Sequence, residues 1–183
     1  TEHTLSLHDA LPISSVDRND PDFYAAYVMN HILGGGGLTG RLSSTIRQQH
    51  GLAYYASTSL APRRHSSALF GNFATRNESA MQAVALAEGV LKNFAETGAT
   101  PQEVQNAIDY ITGSFPLALD DLGSQVAYLS SMQRFDLGLD YLQKRNDYFR
   151  AVTPEAVSRV AAKLLAKPPL VVLVGNPEGA PHD

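Results

Sequence analysis

Residues 19–60 read NDPDFYAAYVMNHILGGGGLTGRLSSTIRQQHGLAYYASTSL, and the order of elements in this stretch decides the fold. Asn19-Asp20-Pro21 signals a helix start, with a capping residue followed by proline at the first helical position. Phe23, Tyr24, Tyr27, Val28 and Ile32 then recur at a spacing that gives one apolar stripe. Gly34 to Gly37 are expected to stop this helix, because four glycines in a row cost too much backbone entropy to stay helical. A second, shorter helix fits Gly40 to Gln49, with Leu42 and Ile46 at i, i+4 and Gly51 placed as its C-terminal cap. Leu52 to Leu60, rich in Tyr and Thr, then reads as a strand.

Working outward, Ser67 to Thr75 is a second strand, and Pro62 with the polar residues after it makes the pair a hairpin. After Asn77 the chain turns helical. Ala80, Val84, Ala87, Leu91 and Phe94 mark the inner face of a helix ended by Gly98. Thr100-Pro101-Gln102-Glu103 is a capping box, opening a helix with Val104, Ile108 and Ile111 inward. Further helices are expected at Ser124 to Phe135, at Asp140 to Val152, and from the Thr153-Pro154 cap to Leu165. Leu170 to Val174 is short and β-branched, which suits a buried strand. Helices, hairpin, helices and strand in that order predict an α+β domain. Its expected architecture is a two-layer sandwich, a mostly antiparallel sheet with helices packed on one face.

The formal net charge of −4 argues against a nucleic-acid surface, which needs clustered Lys and Arg. Arg63-Arg64-His65, the nearest approach to a basic patch, is three residues in a turn and reads as a solvated hairpin tip. The chain has no cysteine, which excludes disulfides, thiolate nucleophiles and Cys-type zinc sites. No apolar run is long enough to span a bilayer. The compartment is undecided by composition, with a periplasmic or secreted setting favoured over the cytoplasm.

Several constellations invite chemistry. Gly35-Gly36-Gly37-Leu38-Thr39-Gly40 matches G-x-G-x-x-G in form. It follows a helix rather than a strand, however, and no acidic residue ends a following strand to hold a ribose, so a helix–helix connection is the better account. The histidines His3, His8, His31, His50, His65 and His182 include no pair at H-E-x-x-H or H-x-x-E-H spacing, so no metal site is complete. Ser43, Ser44, Ser57 and Ser59 lack a nucleophile elbow. Asp120-Asp121 precedes a helix and is expected to cap it. Arg47, in the last turn of a short helix, and Tyr54, seven residues on, read by themselves as a helix-end cation and a core or edge aromatic.

The pattern around them changes that weighting. Asp20-Pro21-Asp22-Phe23-Tyr24, Asn30-His31-Ile32-Leu33-Gly34-Gly35-Gly36, Arg41-Leu42, Ile46-Arg47 and Gly51-Leu52-Ala53-Tyr54, in this order, resemble the pitrilysin, insulinase and mitochondrial-processing-peptidase family of zinc metallopeptidases. The likeness is to the second domain of bacterial members. Gly113-Ser114-Phe115-Pro116-Leu117, Leu137-Gly138-Leu139-Asp140-Tyr141, Ala151-Val152-Thr153-Pro154-Glu155 and Val172-Leu173-Val174-Gly175-Asn176 extend it from about Asp17 to Asn176.

The resemblance implies a processing-peptidase-like metallohydrolase domain and half of a clamshell closing on an extended peptide. The other, homologous half or subunit would carry the H-x-x-E-H motif and the zinc, and this domain would bind no metal. It further implies that Arg47 and Tyr54 are the catalytic pair, reaching across the cleft to the substrate carbonyl. There, zinc-bound hydroxide attack develops negative charge that fixed donors stabilise. Tyr55, one place along the strand, is expected to face the other way. Gly34, Gly35, Gly36 and Gly37 are weaker candidates for peptide contact. Without the zinc motif the chain alone is expected to be inactive. The alternative is a non-catalytic subunit or scaffold of the same fold that binds a peptide or partner without hydrolysis. A nucleotide-binding module is the third and least supported reading.

Thr4 to Ile13, TLSLHDALPI, resembles one reading frame of a common short-read sequencing adapter. Residues 1–13 are therefore expected to be non-native, 14–178 to form the peptidase domain and 179–183 a tail. The native strand before Asp17 and the whole zinc-bearing domain would then be missing, leaving an unpaired, aggregation-prone sheet edge.

Overall fold

The computed structural model describes residues 4–6, 13–14, 16–63 and 67–179. Strands β1 (Thr4–Ser6), β2 (Ile13–Ser14), β3 (Ala53–Ala61) and β4 (Ala68–Arg76) form one antiparallel sheet. The helices are α1 (Phe23–Asn30), α2 (Arg41–Ser43), α3 (Ala80–Thr97), α4 (Pro101–Gly113), α5 (Leu122–Arg134), α6 (Tyr141–Arg150) and α7 (Pro154–Leu164). The architecture is α+β, as the element order predicts. No helix among the described residues is long and apolar enough to cross a membrane.

β4 is the centre of the sheet. It pairs with β3 along one edge, from Ala53↔Thr75 to Ala61↔Ala68. Along its other edge it takes β1 at Thr4↔Arg76 and β2 at Ser14↔Ala68, with the register offset by two residues between the pieces. The edge expected to be bare is therefore partly covered. Backbone pairing at an open edge asks for no particular side chains, so the arrangement is equally available to a native strand and to a translated adapter.

The helices hold the core. Met29, Leu33, Ile46, Phe94, Phe149, Val157 and Val160 are fully buried, each worth about 1.5–3 kcal/mol of transfer free energy. α1 lies between α7 and the sheet, clamped at its start where Asp22 accepts from Arg159 at 2.8 and 3.0 Å. Two buried arginines stitch α6 to its neighbours. Arg18 sits 4.1 Å from the Phe23 ring centroid and donates to the Tyr141 hydroxyl, and Arg145 sits 3.9 Å from that of Phe115.

The capping signals act as written. Thr100 and Glu103 cap each other reciprocally, Thr153 accepts from the Ala156 N–H, and Asp121 accepts from the Ser124 N–H. Two expectations are corrected and one is refined. Asn19 does not cap α1: its side chain donates to the Phe135 carbonyl, and Asp20 instead takes the Asp22 N–H at 2.7 Å, so a turn precedes a helix that begins at Phe23. The glycine run does end the first helix, but not at its first residue: α1 continues as a wide π-helical turn over His31–Gly35 and closes at Gly36. Leu170 to Val174 forms no strand. β4 already pairs on both edges, and the segment follows Pro168-Pro169, where one N–H after another is missing. It lies beside α3 instead, over an apolar cavity of about 90 Å³ lined by Leu69, Phe73, Val84 and Leu91.

Candidate functional site

α2 begins after Gly40, whose extended backbone (φ −67°, ψ 148°) turns the chain, and continues as a second π-helical turn, Ser44–Gln49. Leu42 and Ile46 anchor it in the core. Gly51, at φ 63°, closes it, its N–H donating to the Arg47 carbonyl while the Leu52 N–H reaches the Ile46 carbonyl. That left-handed position is one where glycine carries no Cβ penalty. The reversal feeds directly into β3, and so brings Arg47 back over Tyr54.

β3 carries an irregularity at this point. Ala53 pairs with Thr75 and Ala56 with Phe73, so Tyr54 and Tyr55 together oppose the single residue Ala74. This is a β-bulge, which suspends the strict alternation of faces. Tyr54 is 82% exposed and Tyr55 40%, between the buried Ala53 and Ala56. Both rings are presented to solvent.

The guanidinium carbon of Arg47 lies 5.4 Å from the Tyr54 ring centroid, within the range of a cation–π contact worth about 0.5–1 kcal/mol at an exposed site. Among the described residues neither the guanidinium nor the phenol makes a hydrogen bond, so the donors of both are available to a ligand. A permanent cation and a neutral hydroxyl held side by side on a helix end and a bulged strand can donate together to one anionic oxygen.

The glycine run divides in two. Gly34 is buried against β3, where a Cβ would come within 2.7 Å of the Thr58 backbone nitrogen. Gly35 and Gly37 are exposed and Gly36 half-buried. Gly37, at φ 65°, has open space where a Cβ would point.

His31 and His50 do not meet in a metal site. His31 stacks on Tyr110 of α4 with ring centroids 5.0 Å apart, and burial holds its imidazole below the ordinary value. His50 Nδ1 lies 2.9 Å from the Thr45 carbonyl. Among the described residues no three His, Asp or Glu side chains form a group that could hold a metal ion, so these residues do not fit zinc. The remaining histidines and the basic turn from Arg64 to His65 lie outside the described residues.

Sequence reading missed the contact of His31 with Tyr110, because the two are far apart in sequence and share no pattern. It also passed over an outward apolar repeat on α5, which its spacing could have revealed.

Fold and site together define a two-layer α+β domain that offers a donor pair and, among the described residues, no group of side chains that could hold a metal. Residues 9–111 match the model of the peptidase M16 inactive domain, and the chain belongs to that family. It is 29% identical over 178 residues to an uncharacterized zinc protease of Streptomyces coelicolor, covering 94% of this chain and 37% of that protein. It is 33% identical over 120 residues to the non-peptidase homolog YmxG of Helicobacter pylori, covering 64% of this chain and 27% of that one. Among solved structures, a peptidase M16 inactive domain from Pseudomonas fluorescens superposes with a TM-score of 0.76 at 29% identity, over 88% of this chain and 37% of that chain. The chain thus spans 37% of the Streptomyces protein and of the Pseudomonas chain, and 27% of YmxG.

Proposed function

We propose that this chain is the second, non-zinc half of a zinc-dependent endopeptidase, acting in the periplasm or outside the cell. It contributes peptide binding and stabilisation of the carbonyl oxygen, and the zinc belongs to a homologous companion half, fused or separate. One observation carries the reading: Arg47 and Tyr54 converge at 5.4 Å on an exposed surface with their donors unspent. When a peptide bond is cleaved across the cleft, negative charge builds on the carbonyl oxygen. Arg47 meets it with a fixed positive charge and Tyr54 with a hydroxyl donor, both in place before the reaction starts. Gly35 and Gly37, both exposed, and the half-buried Gly36 would let an extended peptide approach the backbone closely.

The test is Tyr54→Phe in the complete protein. Losing one such donor costs about 2.7–4 kcal/mol, or roughly 10²–10³ in turnover. Stability should not change, since the ring is 82% exposed and its hydroxyl holds nothing in the fold. Undiminished hydrolysis of a fluorogenic peptide by the variant rejects the assignment.

The second reading, a non-catalytic scaffold or subunit, is favoured by the likeness to a homolog named a non-peptidase. It predicts that the complete wild-type protein binds peptide or partner without cleaving anything.

A further inference from the structure

Arg41 opens the short helical arm that carries Arg47, and it ties that arm to the helices behind it. Its Nε and one terminal nitrogen donate to the two carboxylate oxygens of Glu103 on α4, each at 2.8 Å, and the same terminal nitrogen reaches the Gly98 carbonyl at 2.9 Å. The guanidinium also lies over the fully buried Phe94 ring, 4.1 Å from its centroid. Each partner is itself held. Glu103 accepts from the Thr100 N–H and hydroxyl in the capping box of α4. Gly98 packs so closely on α7 that a Cβ there would lie 2.3 Å from Ser158 Oγ, the oxygen that accepts from the next N–H, of Ala99. The Arg41 and Glu103 side chains are 21 and 31% exposed, which sets the pair apart from the weak, fully solvated kind.

The arm's other anchors do not set its angle. Leu42 and Ile46 are buried, but apolar burial is non-directional and fixes depth rather than roll. Gln48 reaches only the neighbouring Leu38 carbonyl. The π-helical turn that holds Arg47 is a rare conformation that its surroundings must maintain. A planar guanidinium bound through two parallel hydrogen bonds, by contrast, sets an orientation as well as a distance. Arg47 stands six residues beyond Arg41, about 9 Å of helix, so a rotation at the first displaces the second.

We infer that Arg41 and Glu103 form a positioning lock that fixes the roll of this arm and so keeps the Arg47 guanidinium over Tyr54. The capping box at Thr100 thereby has a second duty: its glutamate orients a donor on another element. Both members are positioning residues and act through Arg47. The inference rests on the reading of Arg47 and Tyr54 as the pair that stabilises the carbonyl oxygen.

The experiment uses the complete protein with Arg41→Ala, Glu103→Gln, Arg47→Ala and the double variant Arg41→Ala with Arg47→Ala. Glutamine serves a capping box as glutamate does, so Glu103→Gln weakens the lock and leaves the helix start capped. Misplacing a group by about 1 Å costs up to about 10² in rate, so kcat for a fluorogenic peptide should fall roughly 10–10²-fold with KM unchanged. In the Arg47→Ala background the further loss should shrink to within roughly twofold, because the donor to be positioned is gone. Equal losses in both backgrounds make the pair merely structural and overturn the inference. An unchanged kcat, or a raised KM alone, overturns it too. Should Arg41→Ala unfold the protein, Glu103→Gln and Arg41→Lys, a point donor in place of the fork, must still lower kcat, and undiminished turnover in both is equally fatal. Fluorine NMR of 3-fluorotyrosine-labelled protein separates the lock from the parent reading, with the Tyr54 signal assigned by its loss in Tyr54→Phe. The lock predicts that Glu103→Gln moves this signal in the direction that Arg47→Ala does, and a signal that stays put sinks it. If the signal moves while Tyr54→Phe and Arg47→Ala cleave peptide at the wild-type rate, the catalytic reading fails and the lock stands.

Discussion

Gly34→Ala tests whether the glycine run is built for packing or for peptide. The added Cβ would lie 2.7 Å from the Thr58 backbone nitrogen and 2.8 Å from its Oγ1. The hydroxyl could rotate away, but the nitrogen belongs to the centre of β3 and is held by the ladder to β4. Relief therefore requires the end of α1 to move outward by several tenths of an ångström. That would drag Leu33 and Met29, both fully buried, out of register with the core. Forcing a methyl group into a packed site of this kind costs about 1–3 kcal/mol. Alanine recovers up to about 1 kcal/mol of that through its better helix propensity. The net expectation is a loss of about 1–2 kcal/mol, which for a chain of this size lowers Tm by roughly 2–8 °C.

The assay is thermal and urea denaturation of Gly34→Ala beside Gly37→Ala. The second variant meets no atom within 4 Å and is penalised only by its φ of 65°, a cost of about 1–2 kcal/mol. An unchanged or raised Tm in Gly34→Ala refutes the packing argument. If peptide affinity fell while Tm stayed put, the glycine would be a substrate contact instead.

Three further outcomes are expected. Glu103 accepts a bidentate pair from Arg41 at 2.8 Å as well as the Thr100 N–H, and the Arg41 bond chiefly holds its carboxyl down at about 2, from 4.5. A depressed acid stabilises the fold above its unfolded pKa, so this contribution is lost as pH falls from about 4.5 towards 2; Glu103→Gln should flatten that stretch of a stability–pH curve, and an unaltered slope removes Glu103 from the account. Arg18→Ala removes a buried cation from the Phe23 ring and its bond to Tyr141. It should cost about 2–4 kcal/mol in urea denaturation, and a cost near zero would mean the segment before α1 is not anchored there. Sequencing the source DNA upstream of Asp17 should reveal a reading frame that departs from TLSLHDALPI and enters an H-x-x-E-H domain; a native frame running unbroken through that stretch rejects the adapter reading.

Much of the fold is legible residue by residue, because its signals act over one helical turn. The capping box at Thr100, the Thr153-Pro154 start and the Gly51 and Gly98 ends each concern groups within a few residues, and the structure places every one where the sequence does. The β3–β4 hairpin and its polar turn are equally local. The seven-residue spacing of Arg47 and Tyr54 was visible too, though what gives that pair its meaning is the resemblance around it.

What the sequence alone does not determine are the features set by contacts between elements distant along the chain. The bulge at Tyr54 and Tyr55 depends on how β3 registers against β4, which strand composition does not specify. The continuation of α1 through Gly34 depends on Thr58: the close approach to β3 rewards the missing side chain and offsets the poor helix propensity of glycine. Leu170 to Val174 had the composition of a strand, but composition supplies no partner: the segment follows Pro168-Pro169, which lack N–H donors, and packs over the cavity beside α3 instead. Short-range propensity thus decided which elements form, while competition for backbone partners and space decided where they end, how they face and which pattern goes unused.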